Sequence, residues 1–405
     1  MRSVEEHQLI VLGDAQALLP AQQVSLLEAD GLVLADSVTA SWPLPSFDNS
    51  SMDGYAVRVS DVSGASDESA IRLPVRGDIA AGQEAAERLD PGTAVRIMTG
   101  APIPEGTDAV VPVEWTDGAT DEVTITRAPD LGAHIRRRGE DVAAGEVVLE
   151  PGTPINARVI AMLAAVGLAT IPVHRRPRVS VISTGDELVD PGVEPGPGQI
   201  VDSNSYMLTA AVREAGAEAV RVGPVRDDED ELERVLLEEA ARSDLIITSG
   251  GVSMGAYDTV KAVLTRLGGV EFVKVAMQPG MPQGAGVVGS TPIVTLPGNP
   301  VSSYVSFEAF VRPLIRRMLG HPDLQRPRLH AICAREFTSP HGKTQFARVR
   351  LQTRDGLLMA EPEGGQGSHI IGGLSRADGL AIVPEQVSRV AQGDELMVMD
   401  LRGGG

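Results

Sequence analysis

The chain has a single cysteine, Cys333, in 405 residues, so it forms no internal disulfide and suits a reducing compartment. Aromatic residues are scarce as well: 6 Phe, 4 Tyr and 2 Trp are few for the stacked platforms that grip single-stranded nucleic acid. Positive charge is in deficit, with 35 Lys and Arg against 55 Asp and Glu. The resulting net charge of −20 repels nucleic acid and anionic membranes. The 7 histidines are scattered without paired spacing, which argues against zinc. No uninterrupted apolar run reaches the roughly 18 residues a membrane helix needs. The opening Met1-Arg2-Ser3-Val4-Glu5-Glu6 leads into no signal-peptide hydrophobic region. Together these absences predict a cytoplasmic protein that binds neither nucleic acid nor membrane. An anionic ligand would need a metal ion or local Arg and Lys to offset the acidic field.

Hydrophobic residues make up 42% of the chain, enough for real cores, and the length suggests two to four domains. Helical spacing over 4–19 and 155–167 predicts two short helices. Between them, Pro91-Gly92, Asp117-Gly118 and further Gly/Pro turns separate brief β-type runs, which predicts an inserted β-rich domain. After Pro177, strands and helices alternate: strands at 178–182, 219–222, 245–248, 270–275 and 292–296, with helices from Ser203 or Asn204, from Asp227 or Asp228, over 257–267, and from Pro300. That order predicts a parallel, doubly wound α/β sheet, with Pro313 kinking the last helix. Beyond about 327, short alternating strands predict a terminal β-barrel or sandwich.

Three strands of the α/β segment run into loops of small residues: Ser183-Thr184-Gly185-Asp186-Glu187, Ser249-Gly250-Gly251-Val252-Ser253 and Pro297-Gly298-Asn299-Pro300-Val301-Ser302. Loops of this kind at the carboxyl ends of strands build ligand pockets, and their glycines let backbone N–H groups approach a phosphate. Gly251-Val252-Ser253-Met254-Gly255 matches the G-x-S-x-G elbow of serine hydrolases, but Ser249, Gly250 and Gly251 separate the serine from the strand. Gly342-Lys343-Thr344 lacks the first glycine of a P-loop, since Phe337 occupies that position. Glu187, Asp228 and Asp258 each follow a strand of the same sheet, and such convergent oxygens suit Mg²⁺ beside a phosphate. In the β-rich region, Asp53 sits in Ser51-Met52-Asp53-Gly54-Tyr55, and Arg136-Arg137-Arg138 is the densest positive spot.

Taken together, Phe47-Asp48-Asn49-Ser50-Ser51-Met52-Asp53-Gly54-Tyr55-Ala56, Thr99-Gly100-Ala101-Pro102, Arg137-Arg138-Gly139-Glu140-Asp141 and the three glycine loops resemble the molybdopterin molybdenumtransferase family, the MoeA type related to the gephyrin E domain. The resemblance runs in order over almost the whole chain. It implies a multidomain α/β and β protein: a helical domain (1–46 and 143–176), an inserted β domain (47–142), a doubly wound molybdopterin-binding domain (177–326) and a C-terminal β-barrel (327–405). It implies a homodimer whose active site is shared between subunits, and contacts with other molybdenum-cofactor proteins. The implied reaction inserts molybdenum from molybdate into adenylylated molybdopterin, releasing AMP with Mg²⁺.

By motif, the implied metal and reaction-centre acids are Glu187, Asp228 and Asp258, with Asp53 and Asp141 from the neighbouring subunit. Thr99 and Arg136 would contact ligand oxygens, while Ser183, Thr184, Gly185, Gly250, Gly251 and Ser253 would hold pterin and pyrophosphate. Pro297 and Pro300 would fix the third loop, and Arg348 and Ser368 match positions linked to oxyanion handling. One stretch departs: many members carry Lys-Pro-Gly-Lys-Pro where this chain has Gln278-Pro279-Gly280-Met281-Pro282. Lys274, Arg348 and the arginine run are then expected to carry the oxyanion load. A non-catalytic scaffold of the same fold is the alternative from another class; the intact carboxylate set favours the enzyme.

Overall fold

The computed structural model describes residues 1–13, 18–84, 88–252 and 259–403. The chain divides into two units: Ser37–Glu150 with Ala157–Thr170, and Met1–Asp36 with Pro151–Asn156 and Ile171–Gly405.

The smaller unit is built on a sheet of β1 (Gly54–Val57), β2 (Ile71–Ile79), β3 (Ala94–Ile97), β4 (Ala109–Pro112) and β5 (Glu122–Ile125), ordered β4-β1-β3-β2-β5. Successive side chains of a strand point to opposite faces. Tyr55, Val57 and Val111 therefore enter one core while Ala56 and Val110 enter another, so both faces of the sheet are covered. The helix expected over 155–167 occupies Ala157–Ala165.

In the larger unit, the first helix is Val4–Gly13, shorter than the expected 4–19; residues 14–17 lie outside the described ones. Its start is a reciprocal capping box, with Glu6 N–H donating to Ser3 Oγ (3.0 Å) and Ser3 N–H donating to Glu6 Oε2 (2.9 Å). The main sheet comprises β6 (Arg178–Thr184), β7 (Glu218–Val225), β8 (Leu245–Ser249), β9 (Val270–Lys274), β10 (Pro282–Val288) and β11 (Thr291–Leu296). Its order is β7-β6-β8-β11-β10-β9. The β7-β6, β6-β8 and β8-β11 pairs are parallel, but β10 pairs antiparallel with both β11 and β9. The sheet is thus mixed rather than wholly parallel. Strand β10 escapes a sequence reading because Pro282, Gly284 and Gly286 look like loop. A Cβ at Gly286 would lie 1.9 Å from the Gly269 carbonyl oxygen, so this strand needs glycine to meet its neighbour.

Helices α1 (Asn204–Glu214) and α4 (Pro300–Ser306) cover one face, and α2 (Glu229–Ala240) and α3 (Thr259–Leu267) the other. Alternation along the strands feeds both sides: Val181, Ile247 and Val294 reach the first, Ile182, Ile246 and Ile293 the second. After α4 the chain widens into a π-helical turn, Phe307–Val311, before α5 (Arg312–Met318). Pro313 lacks an N–H and its ring would crowd the carbonyl four residues back, at Ala309; the wide turn sits there.

Strands β12 (Arg328–Cys333), β13 (Thr344–Arg354), β14 (Leu357–Pro362), β15 (Gly379–Val383) and β16 (Glu395–Asp400) follow in the order β13-β14-β12-β16-β15. Pairing of β15 back onto β13 closes a five-stranded barrel, which decides between the barrel and sandwich alternatives. The connection to it is anchored by buried Arg326, whose guanidinium donates to both oxygens of Glu308 (2.7 and 3.0 Å) and to Glu214 (2.7 Å). At the outer edge of the main sheet, Arg2 N–H donates to the Lys274 carbonyl (3.0 Å) and Ala276 N–H to the Arg2 carbonyl (2.8 Å). Among the described residues no helix is long and apolar enough to cross a membrane.

Candidate functional site

Strand order reverses at β6: the chain moves from β6 outward to β7, then back past β6 to β8. Crevices at such a switch point, outside the carboxyl ends of the strands, are where open α/β sheets bind ligands. The three glycine loops meet there. A Cβ at Gly250 would stand 3.6 Å from both Thr184 O and Thr184 Oγ1, and one at Gly298 would stand 3.7 Å from Gly250 Cα. The Gly250 N–H donates to the Leu296 carbonyl (3.0 Å), tying the second loop to the strand that leads into the third. Gly251 has φ +79° and no room for a side chain, since a Cβ would fall 2.2 Å from Val260 Cβ on α3.

Ser183 is fully buried and its hydroxyl donates to Asp202 Oδ2 (2.7 Å), so it supports its loop from behind and offers no hydroxyl to the crevice. The same carboxylate accepts from Ser205 N–H (3.0 Å) and Ser205 Oγ (2.5 Å), and Arg221 Nε donates to Ser205 Oγ (2.7 Å). Two residues on, Asn204 Nδ2 donates to Ser249 Oγ (2.8 Å) and to the Gly298 carbonyl (2.7 Å). The segment 202–205 thereby touches all three loops. In the sequence this segment reads only as a helix start; Asn204 and Ser205, two cap-type residues beyond the cap Ser203, are the one local signal of a further role.

Pro297 is buried at the end of β11, and Pro300 occupies the first turn of α4, where a missing N–H costs nothing. Val301 N–H donates to the carbonyl of Ser368, in the barrel's 363–369 loop (3.1 Å). Arg348, 1% exposed, lies beneath that loop: its guanidinium donates to the carbonyls of Gly365 and of Gly367 (3.2 Å). Burial lowers its pKa, opposed by nearby Glu363. Arg348 therefore shapes the loop from within, and its charge is not presented at the surface.

The acids gather at the same sheet edge. Glu187 folds back over Gly185, and Asp228 caps α2 by accepting Glu231 N–H at Oδ1 (2.8 Å), leaving Oδ2 unused by the cap. Asp186 and Asp227 exchange backbone-to-carboxylate contacts at 3.4 Å each way, which brings the loops after β6 and β7 together. Asp258 and Ser253 lie outside the described residues, and with Ser253 goes the hydrolase-type motif. Among the described residues no three of His, Cys, Asp and Glu converge on one ion. The carboxylates of Glu187 and Asp228 are a donor set that Mg²⁺ accepts alongside substrate phosphates.

Lys274 ends β9; two antiparallel steps restore the strand direction, so it is at the same edge of the sheet as Leu296, and exposed. The segment without lysines is braced elsewhere: Met277 and Gln278 pair parallel with Thr344 and Gln345 of the barrel. A cavity of about 630 Å³ opens at the opposite, amino-terminal ends of the strands, but its Arg175 is committed bidentately to Asp244 (2.7 and 2.6 Å).

The smaller unit brings its own motifs together. Asn49 pairs with Arg136, and Gly100 N–H donates to the Ser50 carbonyl (2.8 Å). Asp53 Oδ1 accepts both the Thr99 N–H (2.7 Å) and the Thr99 hydroxyl (2.8 Å), and these bonds lower its pKa. Thr99 therefore orients Asp53, and its hydroxyl proton is already placed. Arg137 is bound to Asp48 (2.7 Å), while Arg136 and Asp141 are exposed.

Comparison with known proteins agrees along the whole chain. Residues 2–167 match the MoeA N-terminal region (domain I and II), 180–317 a probable molybdopterin binding domain, and 330–401 the MoeA C-terminal region (domain IV). The chain is 51% identical to molybdopterin molybdenumtransferase 2 of Mycobacterium tuberculosis (strain H37Rv), covering 99% of this chain and 100% of that one. It is 36% identical to the molybdopterin molybdenumtransferase of Haemophilus influenzae over 93% of each. The crystal structure of the molybdopterin biosynthesis moeA protein from Pyrococcus horikoshii OT3 superposes with a TM-score of 0.85 at 29% identity, covering 98% and 99%. The chain thus belongs to the molybdopterin molybdenumtransferase (MoeA) family, transferases of molybdenum cofactor biosynthesis.

Proposed function

We propose that the protein inserts molybdenum from molybdate into adenylylated molybdopterin and releases AMP, in a Mg²⁺-dependent reaction. The observation that carries this reading is the row Thr184, Gly250, Gly298 at the switch point of the sheet, with Glu187 and Asp228 at the same edge. Backbone N–H groups in the glycine loops suit a pyrophosphate, and the carboxylates suit the cation that accompanies it. Mg²⁺, when bound with the substrate, supplies Lewis-acid polarisation of phosphate oxygens. The residues of the chain hold and orient: Thr184, Gly185, Gly250, Gly251 and Ser253 the pterin and pyrophosphate, Glu187, Asp228 and Asp258 the phosphate-borne cation. Lys274 offsets the acidic edge for molybdate, a dianion that the carboxylates would otherwise repel.

The same reading makes the enzyme a cytoplasmic homodimer of four-domain subunits. Asp53, Thr99, Arg136 and Asp141 of one subunit complete the α/β site of the other, and further molybdenum-cofactor proteins are its partners. The deciding assay follows AMP release from molybdopterin adenylate with and without molybdate and Mg²⁺. Release should require both, and K274M should abolish the molybdate-dependent part. Release indifferent to molybdate and to Mg²⁺ would overturn the reading.

A further inference from the structure

The three glycine loops belong to three different strands, yet a ligand spanning them needs their spacing fixed before it arrives. Asn204 is placed to fix it. It is the first residue of α1, half-buried, and one nitrogen, Nδ2, serves two loops: Ser249 Oγ at 2.8 Å in the second and the Gly298 carbonyl at 2.7 Å in the third. The orientation of the amide follows from chemistry, because the Gly298 carbonyl can only accept. Its other end, Oδ1, is shielded from solvent and meets no donor among the described residues. An unpaired buried acceptor is unfavourable, so the stabilising side of this residue is Nδ2 and the two loops it joins. Two residues upstream, Asp202 performs the matching task for the first loop through Ser183, and it is held there by Ser205 and Arg221.

We propose that Asn204 is a positioning residue of the molybdopterin site: its amide sets the distance between the Ser249–Gly251 and Pro297–Pro300 loops, so that both engage one bound molecule. This rests on the reading of the site given above. An aspartate at this position would set a carboxylate against the Gly298 carbonyl, two acceptors facing each other, until the carboxyl takes up a proton and can donate again.

The test is equilibrium binding of molybdopterin to full-length wild type, N204D, N204A and S249A, followed by quenching of pterin fluorescence between pH 5 and pH 8. The expected result at pH 8 is a loss of affinity of about 10-fold or more in N204D and N204A, the scale of one lost buried hydrogen bond. As pH falls, N204D should regain most of that loss while N204A regains none. S249A should lose less than N204A, and the double variant N204A/S249A should be no weaker than N204A alone. Wild-type affinity in N204A, or a pH response shared by N204A and N204D, would overturn the proposal. If N204D does not fold, the decision falls to the S249A cycle, where additive losses would overturn it. Failure of the wild type itself to bind molybdopterin counts against the reading of the site instead.

Discussion

The backbone N–H of Val301 donates to the Ser368 carbonyl at 3.1 Å, so a loop of the barrel caps the helix that follows the third glycine loop. The Arg348 guanidinium holds that loop by two carbonyls from inside, and the Gln366 amide ties it to the Arg348 backbone as well. R348M should cost about 2–4 kcal/mol, because buried carbonyls lose a charged donor. R348K should rescue little, since one ammonium cannot span two carbonyls as a planar fork does. Denaturant melts of the three proteins check this; coincident R348M and wild-type midpoints would show the loop stands without its anchor.

Asp228 serves two purposes that substitution can separate. Asparagine caps a helix as well as aspartate does, while alanine does not. D228N should therefore keep wild-type stability and lose Mg²⁺-dependent AMP release. D228A should lose that activity and about 1 kcal/mol of stability as well. A D228N enzyme with normal Mg²⁺ dependence would remove this carboxylate from the site.

The Asp53–Thr99 pair predicts a pH effect. Thr99 holds the Asp53 carboxyl below the usual carboxylate range through its N–H and hydroxyl. T99V removes the hydroxyl bond, so the Asp53 pKa should rise toward its ordinary value and the acid limb of AMP release should move to higher pH. Titration of Asp53 by carboxyl NMR in both proteins reads this directly; an unmoved pKa would mean that the backbone N–H suffices.

Acid should weaken the fold through His7. The ring is 1% exposed, lies edge-on to Phe310 at 4.7 Å, and is pushed down to about 4 by burial, with Arg2 adding to the effect. An unfolded histidine titrates near 6.5, so below that pH the unfolded chain binds a proton that the native chain refuses. Stability contributed by the neutral ring is complete above about 6.5 and lost as pH falls to about 4, to a total of at most about 3 kcal/mol. His321, beside Arg316 and also lowered to about 4, shares the window. H7L should flatten the slope without abolishing it, as measured by melting temperature from pH 7 to pH 4.

Much of this was readable in the sequence, for reasons that differ by element. Strands β6, β8 and β11 are apolar runs ending in glycine loops, and Asp228 followed by Glu231 is a local cap signal, so both were visible at short range. Strand β10 was not, because its one proline and two glycines answer to the neighbouring strands and not to its own propensity. The direction of a side chain was equally hidden. Ser183 and Arg348 sit in the motifs that suggested ligand contact, yet both turn inward, since buried Asp202 and the glycine carbonyls at 365 and 367 offer them partners. Asn204 was missed because its two partners are 45 and 94 residues away.

Arg2, at the outer rim of the main sheet, also bears on solubility. Among the described residues strand β9 has no sheet neighbour on its outer side, and a strand left bare there is a template for joining another molecule. The backbone of Arg2 meets it at Lys274 and Ala276, and its side chain grips Glu271 by both oxygens (3.0 Å each). Removing the first residues should therefore expose the end of this rim and promote strand-to-strand self-association at high concentration, a colloidal defect.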